Sequence, residues 1–240
     1  MTAMLASVRD LAEANVVIKA GCDWLDLKDP GIGALGAVTL TTVRDIVRCH
    51  AGALPISATI GDCWGTPEVI PARVENLARL GIEYVKVGVF ARDLASDFAP
   101  HLKHAVSLVP NLIAVCFAED PPSAVDVAQL AALGLRGVML DTADKAHGSL
   151  PSLLAPLQIR EFVVAAREHG LLVGLAGSLR RQDIPALLTY GADYLGFRGA
   201  LCRGHAREDT IDPQAVHEIR GLLTNPSRLE KERNHGVART

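Results

Sequence analysis

Short apolar runs alternate with amphipathic stretches along most of this chain. The apolar runs have the length and β-branched content of buried strands. We predict strands at residues 4–8, 24–28, 55–61, 84–90, 112–118, 137–141, 171–177 and 194–199. The stretches between them repeat apolar residues at helical spacing, and several end at a glycine suited to a helix C-cap. Eight strands that each precede a helix predict an α/β fold, the (β/α)8 TIM barrel.

Chain length and composition agree with a single barrel. The chain has 240 residues, of which 49% are hydrophobic, and this is the usual size of one such domain. We place the barrel domain at residues 1–224. Residues 225–240 are polar and include Pro226, so we expect a flexible C-terminal tail.

Charge and composition argue against several classes of partner. A net charge of −3 with only 4% aromatic residues argues against a surface that binds nucleic acid. We find neither a secretion signal nor an apolar stretch long enough to span a bilayer, and we expect a cytoplasmic protein with no membrane partner. The five cysteines are widely spaced and the histidines fall mostly on predicted helices or loops, so we expect no metal and no other cofactor. Apolar helix faces would permit a homo-oligomer.

Strand alternation places several charged side chains inside the predicted barrel. The valines of YVKVGVF take the face toward the helices, which leaves Lys86 on the interior face. The same reasoning turns Asp26 and Lys28 of WLDLK inward, together with Asp141 of GVMLD. Polar side chains from different strands therefore converge on one cavity.

Lysine is rare in this chain, and half of the lysines occupy special positions. Six lysines stand against eighteen arginines, and Lys28, Lys86 and Lys145 lie at or just beyond strand ends. A lysine held near other cations or away from water can lose its proton and attack a carbonyl. Buried ion pairs, such as Lys28 with Asp26 or Lys86 with Asp141, are the structural alternative. Three lysines and two aspartates gathered at one end of a barrel favour a catalytic site.

Small residues follow the seventh and eighth predicted strands. In many barrels the backbone N–H groups at this corner bind phosphate. Our candidates are Gly177, Ser178, Arg198 and Gly199. A tight turn alone would also explain either glycine.

Two further segments contain candidate ligand contacts. The glycine-rich loop KDPGIGALGA, residues 28–37, could close over a ligand. Ser57, Thr59 and Asp62 lie near the end of the third strand and could form hydrogen bonds with substrate. A helix-capping role is an equal alternative for Asp62.

The order of these motifs resembles a known family. LDLKDPGIGALGA, SATIGD, YVKVGVF, VMLDTADK, GLAGSL and GFRGALCRG resemble the (5-formylfuran-3-yl)methyl phosphate synthases of methanofuran biosynthesis, also called 4-(hydroxymethyl)-2-furancarboxaldehyde-phosphate synthases, from about residue 4 to 223. The resemblance implies a lyase that condenses two molecules of glyceraldehyde 3-phosphate into a phosphorylated furan aldehyde, releasing phosphate and water. It implies a phosphorylated triose as the small-molecule partner.

The same resemblance implies roles for individual residues. The family's Schiff-base lysine falls on Lys28 and its proton acceptor on Lys86, while LDTADK places Asp141 and Lys145 at the same site. We expect Asp26 to act beside them. Two alternatives stay open, a class I aldolase for another phosphorylated sugar and a non-catalytic triose-phosphate-binding paralogue.

The segment after the fifth strand departs from the family pattern. The family has Gly-Tyr-Ala-Asp there, whereas this chain has CFAEDPPS at residues 116–123. Phe117 lacks the tyrosine hydroxyl, so a catalytic contribution from that group is absent. Glu119 and Asp120 are both candidates to replace the acidic group.

Overall fold

The computed structural model describes residues 1–95, 98–144 and 148–225. Its strands are β1 Ala3–Val8, β2 Trp24–Leu27, β3 Ile56–Thr59, β4 Tyr84–Val89, β5 Leu112–Phe117, β6 Gly137–Asp141, β7 Leu172–Leu175 and β8 Tyr194–Phe197. Its helices are α1 Leu11–Lys19, α2 Leu40–His50, α3 Ile70–Arg79, α4 Phe98–Leu108, α5 Ala124–Leu133, α6 Leu150–Leu153, α7 Pro156–Glu168, α8 Ile184–Leu188 and α9 Pro213–Thr224.

The strands close into a parallel barrel in sequence order, and β8 pairs with β1. The prediction of a (β/α)8 barrel is confirmed. Lys145 and the tail from residue 226 onward lie outside the described residues, so the predicted contribution of Lys145 and the flexible tail stay predictions. Among the described helices, none is long and apolar enough to cross a bilayer.

Local sequence signals set several helix boundaries. The Asp10 carboxylate caps α1 by accepting a hydrogen bond from the backbone N–H of Glu13. Ser123 and Asp126 form a reciprocal capping box at the start of α5, and that helix ends at Gly134 in the left-handed conformation. These caps fix where α1 begins and where α5 begins and ends.

The core has two layers, as strand alternation predicts. Leu25, Leu27 and the β4 valines pack in the outer layer, between the sheet and the helices. An inner cluster fills the barrel, where the Trp24 ring contacts those of Tyr84 and Tyr194 at centroid distances of 4.5 and 4.9 Å. This aromatic floor closes the amino-terminal half of the barrel, so a cavity can open only at the carboxyl end.

The glycine-rich loop after β2 folds back over the carboxyl end of the barrel. It contains a 3₁₀ helix, Pro30–Ile32, and Leu35 of this loop is buried in the inner cluster. Gly36 lies so close to the backbone that a Cβ there would stand 2.3 Å from the Asp29 carbonyl oxygen. Only glycine fits that approach, and the loop therefore keeps Leu35 above the barrel interior.

Candidate active site

A cavity of about 440 Å³ opens at the carboxyl ends of the strands. Its walls bring together four of the residues singled out from the sequence. They are Asp26, Lys28, Lys86 and Asp141. All four are at least nine-tenths buried, although ionised side chains are rarely found in such positions without partners. The burial of so many charges at one cavity marks it as the candidate active site.

The Asp26 carboxylate is held by hydrogen bonds from three neighbouring strands. Strand register places Ser7 of β1 and Ser57 of β3 directly beside it. Ser7 Oγ donates to one carboxylate oxygen at 2.9 Å, while Ser57 Oγ at 2.7 Å and Lys86 Nζ at 2.9 Å donate to the other. The carboxylate is thereby fixed in one orientation beneath the cavity, with a lysine amine bound to it.

The ion pairs differ from the two suggested by the sequence. Lys86 pairs with Asp26, and Lys28 Nζ lies 3.5 Å from an oxygen of Asp141. Asp26 and Lys28 lie two residues apart at the end of the same strand, but each reaches a partner on a different strand. The exchange leaves Lys86 deep in the barrel and Lys28, just beyond the end of β2, facing Asp141.

Burial and charge act in opposite directions on the deeper pair. Burial lowers the pKa of the Lys86 amine below its ordinary value, and the carboxylate of Asp26 opposes that change. Burial alone would raise the pKa of Asp26, but the charges of Lys86 and Lys28, with hydrogen bonds from Lys86 and Ser57, lower it below its usual range. The lowered pKa of Asp26 favours its ionised carboxylate, and the lowered pKa of Lys86 favours its neutral amine.

The polar residues at the end of β3 bind protein atoms. The Ser57 hydroxyl is fully buried and donates to Asp26, so the geometry favours a structural use of this side chain, and its contact with substrate stays a prediction. Thr59 lines the cavity, but its hydroxyl donates to the Gly36 carbonyl at 3.1 Å. Asp62 accepts a hydrogen bond from the backbone N–H of Leu35 at 3.2 Å and does not cap the next helix. Thr59 and Asp62 thereby hold the glycine-rich loop in place.

The turn after β7, where we predict part of a phosphate-binding corner, lies at the cavity wall. Gly177 has φ of +99°, and a Cβ there would stand 2.8 Å from the Thr142 side chain. Ser178 also adopts a positive φ, of 49°, which is costly for a residue with a side chain. Both residues line the cavity, as does Gly199 in the turn after β8. Strained backbone at a cavity wall is consistent with a binding role.

The side chain of Arg198 has a structural use. Its guanidinium forms a bidentate pair with the buried carboxylate of Glu13 on α1. Its other donors bind the backbone carbonyls of Ser7, Arg207 and Asp209. A guanidinium has five N–H donors, and all of them are occupied. No side-chain donor of Arg198 remains for a ligand, so its predicted part in phosphate binding rests on its backbone, at the cavity wall, and stays a prediction.

The segment after β5 is also structural. Phe117 is fully buried, and its ring packs against those of Phe90 and Trp64 at centroid distances of 4.7 and 5.5 Å. The Glu119 carboxylate accepts hydrogen bonds from the backbone N–H groups of residues 143 and 144, and Asp120 accepts from the backbone and side chain of Arg92. Neither acidic residue lines the cavity, so the idea that one of them supplies a catalytic acid there is not supported.

Sequence reasoning missed Ser7 and Leu35. Ser7 occupies an inward position of β1, as alternation with its outward neighbours would have indicated, but serine in a strand is not a strong signal by itself. Leu35 carried no chemical signal, and only the folded loop places it on the cavity wall.

In the part of the chain that the structure describes, no group of three or more His, Cys, Asp or Glu side chains could hold a metal ion.

Comparison of the whole sequence with known families gives one assignment. The model of the 4-HFC-P synthase family matches residues 4–220. A protein of Methylorubrum extorquens is 42% identical over 222 residues, which cover 90% of this chain and 91% of its own length. Its name describes it as a candidate (5-formylfuran-3-yl)methyl phosphate synthase. The (5-formylfuran-3-yl)methyl phosphate synthase of Methanopyrus kandleri is 31% identical over 92% of this chain and 98% of its own length.

Solved structures of low sequence identity share the fold. The 3-hexulose-6-phosphate synthase of Salmonella typhimurium superposes with a TM-score of 0.69 at 12% identity, over 93% of this chain and 99% of its own. The phosphoribosyl anthranilate isomerase of Thermus thermophilus gives a TM-score of 0.67 at 14% identity, over 93% of this chain and 98% of its own. These similarities support the barrel architecture and carry no information about substrate.

Proposed function

This chain belongs to the 4-HFC-P synthase family, and we propose that it condenses two molecules of glyceraldehyde 3-phosphate into (5-formylfuran-3-yl)methyl phosphate. The proposed reaction is a lyase reaction through a lysine Schiff base, in the formation of methanofuran or a related cofactor. Two three-carbon phosphates supply the six carbons of the product, with loss of one phosphate and two molecules of water. The observation that carries the proposal is the group of two buried lysine–carboxylate pairs at one cavity.

Lys28 is the proposed nucleophile. Its amine lies at the cavity wall, 3.5 Å from a carboxylate oxygen of Asp141 that can exchange protons with it. Attack on the aldehyde of one triose phosphate and departure of the carbonyl oxygen as water would give an imine on Lys28. Asp141 is the group nearest to this amine that can take up and return protons during those steps.

Lys86 is the proposed proton carrier. Burial lowers the pKa of its amine, and a neutral amine can accept a proton from C2 of the imine. The electron pair of that C–H bond would form an enamine, and its electrons would then expel the phosphate from C3 by breaking the C–O bond. At C3, the unsaturated imine accepts a bond from C2 of the second triose, whose C2–H bond supplies the electron pair and gives its proton to a Lys86 amine that has passed its first proton to the departing phosphate. The C2 oxygen of the first triose then closes on the aldehyde carbon of the second. Loss of the C2 hydroxyl of the second triose and of the new ring hydroxyl, each as water with one ring proton, gives the furan, which keeps the phosphate of the second triose. Hydrolysis of the imine releases the formyl group and restores Lys28.

Asp26 and the turns after β7 and β8 have supporting roles in this proposal. Asp26, fixed by Ser7 and Ser57, holds Lys86 in place and stabilises it when it is protonated. The backbone at Gly177, Ser178 and Gly199 faces the cavity and offers N–H groups to a substrate phosphate. Lys145 is proposed to assist dehydration or to hold the departing phosphate.

The proposal is tested by product formation from glyceraldehyde 3-phosphate. The wild-type protein is expected to release inorganic phosphate together with a furan chromophore, in equal amounts. Lys28→Arg keeps the positive charge but removes the attacking amine, so both signals should fall by at least about three orders of magnitude. Lys19→Arg, at an exposed position of α1, is the matched control and should leave the rate unchanged. Phosphate release without a furan product would indicate a different reaction.

A further inference from the structure

Arg207 lies at the mouth of the candidate active site, in the loop that follows β8. Its side chain is partly buried and lines the cavity together with Lys28 and Asp141. Within the described residues, its one hydrogen bond runs from Nη2 to the carbonyl oxygen of Gly33, at 3.1 Å. Arg207 therefore spans from the β8 loop to the glycine-rich loop that begins directly after Lys28.

The two arginines near the end of β8 differ in what their side chains can still bind. Arg198 has every guanidinium donor occupied by Glu13 and backbone carbonyls. Arg207 uses a single donor, so most of its hydrogen-bonding capacity faces the cavity. A guanidinium with open donors at a cavity wall suits bidentate binding of a phosphate group.

The electrostatic surroundings of Arg207 connect it to Lys28. Burial lowers the pKa of the Arg207 guanidinium, while the carboxylate of Asp141 opposes the change more strongly than any other charge. Asp141 is also the ion-pair partner of Lys28. The charges of the guanidinium and of the proposed nucleophile thus interact with the same carboxylate.

We propose that Arg207 binds the phosphate group of the triose whose aldehyde is attached to Lys28. This inference rests on the proposed function. A three-carbon substrate is too short to carry its phosphate far from the amine that holds its aldehyde, and Arg207 is a cation with open donors at the cavity that Lys28 also lines. The backbone N–H groups of the turns after β7 and β8 are then available to bind the phosphate of the second triose. Arg207 would also stabilise the charge that develops as the bound phosphate leaves.

A latch between two loops is the competing explanation for Arg207. Its hydrogen bond to Gly33 joins the β8 loop to the glycine-rich loop, and this contact alone could account for the position of the side chain. Arg207→Gln removes the charge and shortens the side chain, and two aldehydes then separate the roles, because a lost latch would affect both while a lost phosphate contact would affect only the phosphorylated one. Arg203→Gln is the matched control, since Arg203 is exposed in the same loop and does not line the cavity.

The experiment measures imine formation on Lys28 by borohydride trapping at increasing concentrations of two aldehydes. In the wild type, glyceraldehyde 3-phosphate should trap at a much lower concentration than glyceraldehyde, which lacks the phosphate. In Arg207→Gln, the half-saturating concentration of glyceraldehyde 3-phosphate should rise about ten- to a hundredfold, with little change for glyceraldehyde. Arg207→Lys should recover part of this loss, and Arg203→Gln should behave as the wild type.

Two other results would overturn the inference. An unchanged half-saturating concentration of glyceraldehyde 3-phosphate in Arg207→Gln would show that Arg207 does not bind this phosphate. An equal rise for both aldehydes would show that the side chain serves only as a latch. If the wild type forms no adduct on Lys28 with either aldehyde, the proposed function itself fails, and that result is distinct from the other two.

Discussion

The ε-amino group of Lys86 lies almost entirely away from water, with 1% of the residue exposed. An isolated ammonium in such a place would be expensive, and the Asp26 carboxylate 2.9 Å away compensates for the lost hydration. Burial and this carboxylate are the two largest influences on the pKa of Lys86, ahead of the charges of Lys28 and Asp141. Asp26 is thus the residue through which the protonation of Lys86 can be changed most directly.

Asp26→Asn is expected to shift the pH dependence of the reaction to lower pH. Burial lowers the pKa of Lys86 and the charge of Asp26 raises it, so removing that charge should lower the pKa further. A base must be neutral to act, and a lower pKa leaves Lys86 neutral at lower pH. The limb of the kcat/KM profile that reports the ionisation of Lys86 should therefore move to more acidic pH. The maximum value of kcat/KM should also be lower than in the wild type.

The control for this experiment is Ser57→Ala. It removes a hydrogen bond from Asp26 but leaves the carboxylate charge beside Lys86. The limb should move much less than in Asp26→Asn. A limb that stays in place in Asp26→Asn, or moves to higher pH, would mean that the observed ionisation does not belong to Lys86.

At the scale of elements, the end of β8 is joined to α1 by a buried ion pair. Arg198 follows β8, and its guanidinium binds Glu13 on α1, with both side chains less than a tenth exposed. The first helix and the last strand are neighbours only because the barrel closes. This pair therefore fixes the closure at the side of the barrel where the candidate phosphate turns lie.

Glu13→Ala is expected to destabilise the barrel strongly. It leaves the Arg198 guanidinium buried without a carboxylate, and loss of one partner of a buried pair typically costs about 3–5 kcal/mol. The exposed pair between Glu75 and Arg79 on α3 offers a matched comparison. Glu75→Ala should lower the free energy of unfolding by less than about 1 kcal/mol. Urea denaturation of both variants checks the difference, and equal effects would contradict a stabilising role for the Arg198–Glu13 pair.

At the scale of the whole molecule, the sequence was sufficient to predict the barrel and to predict which side chains of each strand turn into its interior. The alternation of apolar runs with amphipathic stretches reports strands and helices directly, and the apolar face of each strand decides which side chains turn inward. That logic placed Asp26, Lys86 and Asp141 correctly inside the barrel. These features depend on local periodicity, which a single sequence contains.

Contacts between distant segments could not be predicted in the same way. The exchange of partners between Lys28 and Lys86 depends on how far each lysine reaches across the barrel, and strand facing does not specify this. The guanidinium donors of Arg198 are taken up partly by Glu13, which is 185 positions away in the sequence and becomes a neighbour only when the barrel closes. The same holds for Arg207, because its approach to Gly33 requires two folded loops.

The central claim is that Lys28 forms a Schiff base with a triose phosphate. The most direct measurement is reduction of the wild-type protein with borohydride in the presence of glyceraldehyde 3-phosphate, followed by mass mapping of the modified peptide. We expect one added triose on Lys28, no addition in Lys28→Arg, and a loss of activity in proportion to the trapping. An adduct on Lys86 instead of Lys28, or an active enzyme that traps nothing, would contradict the account.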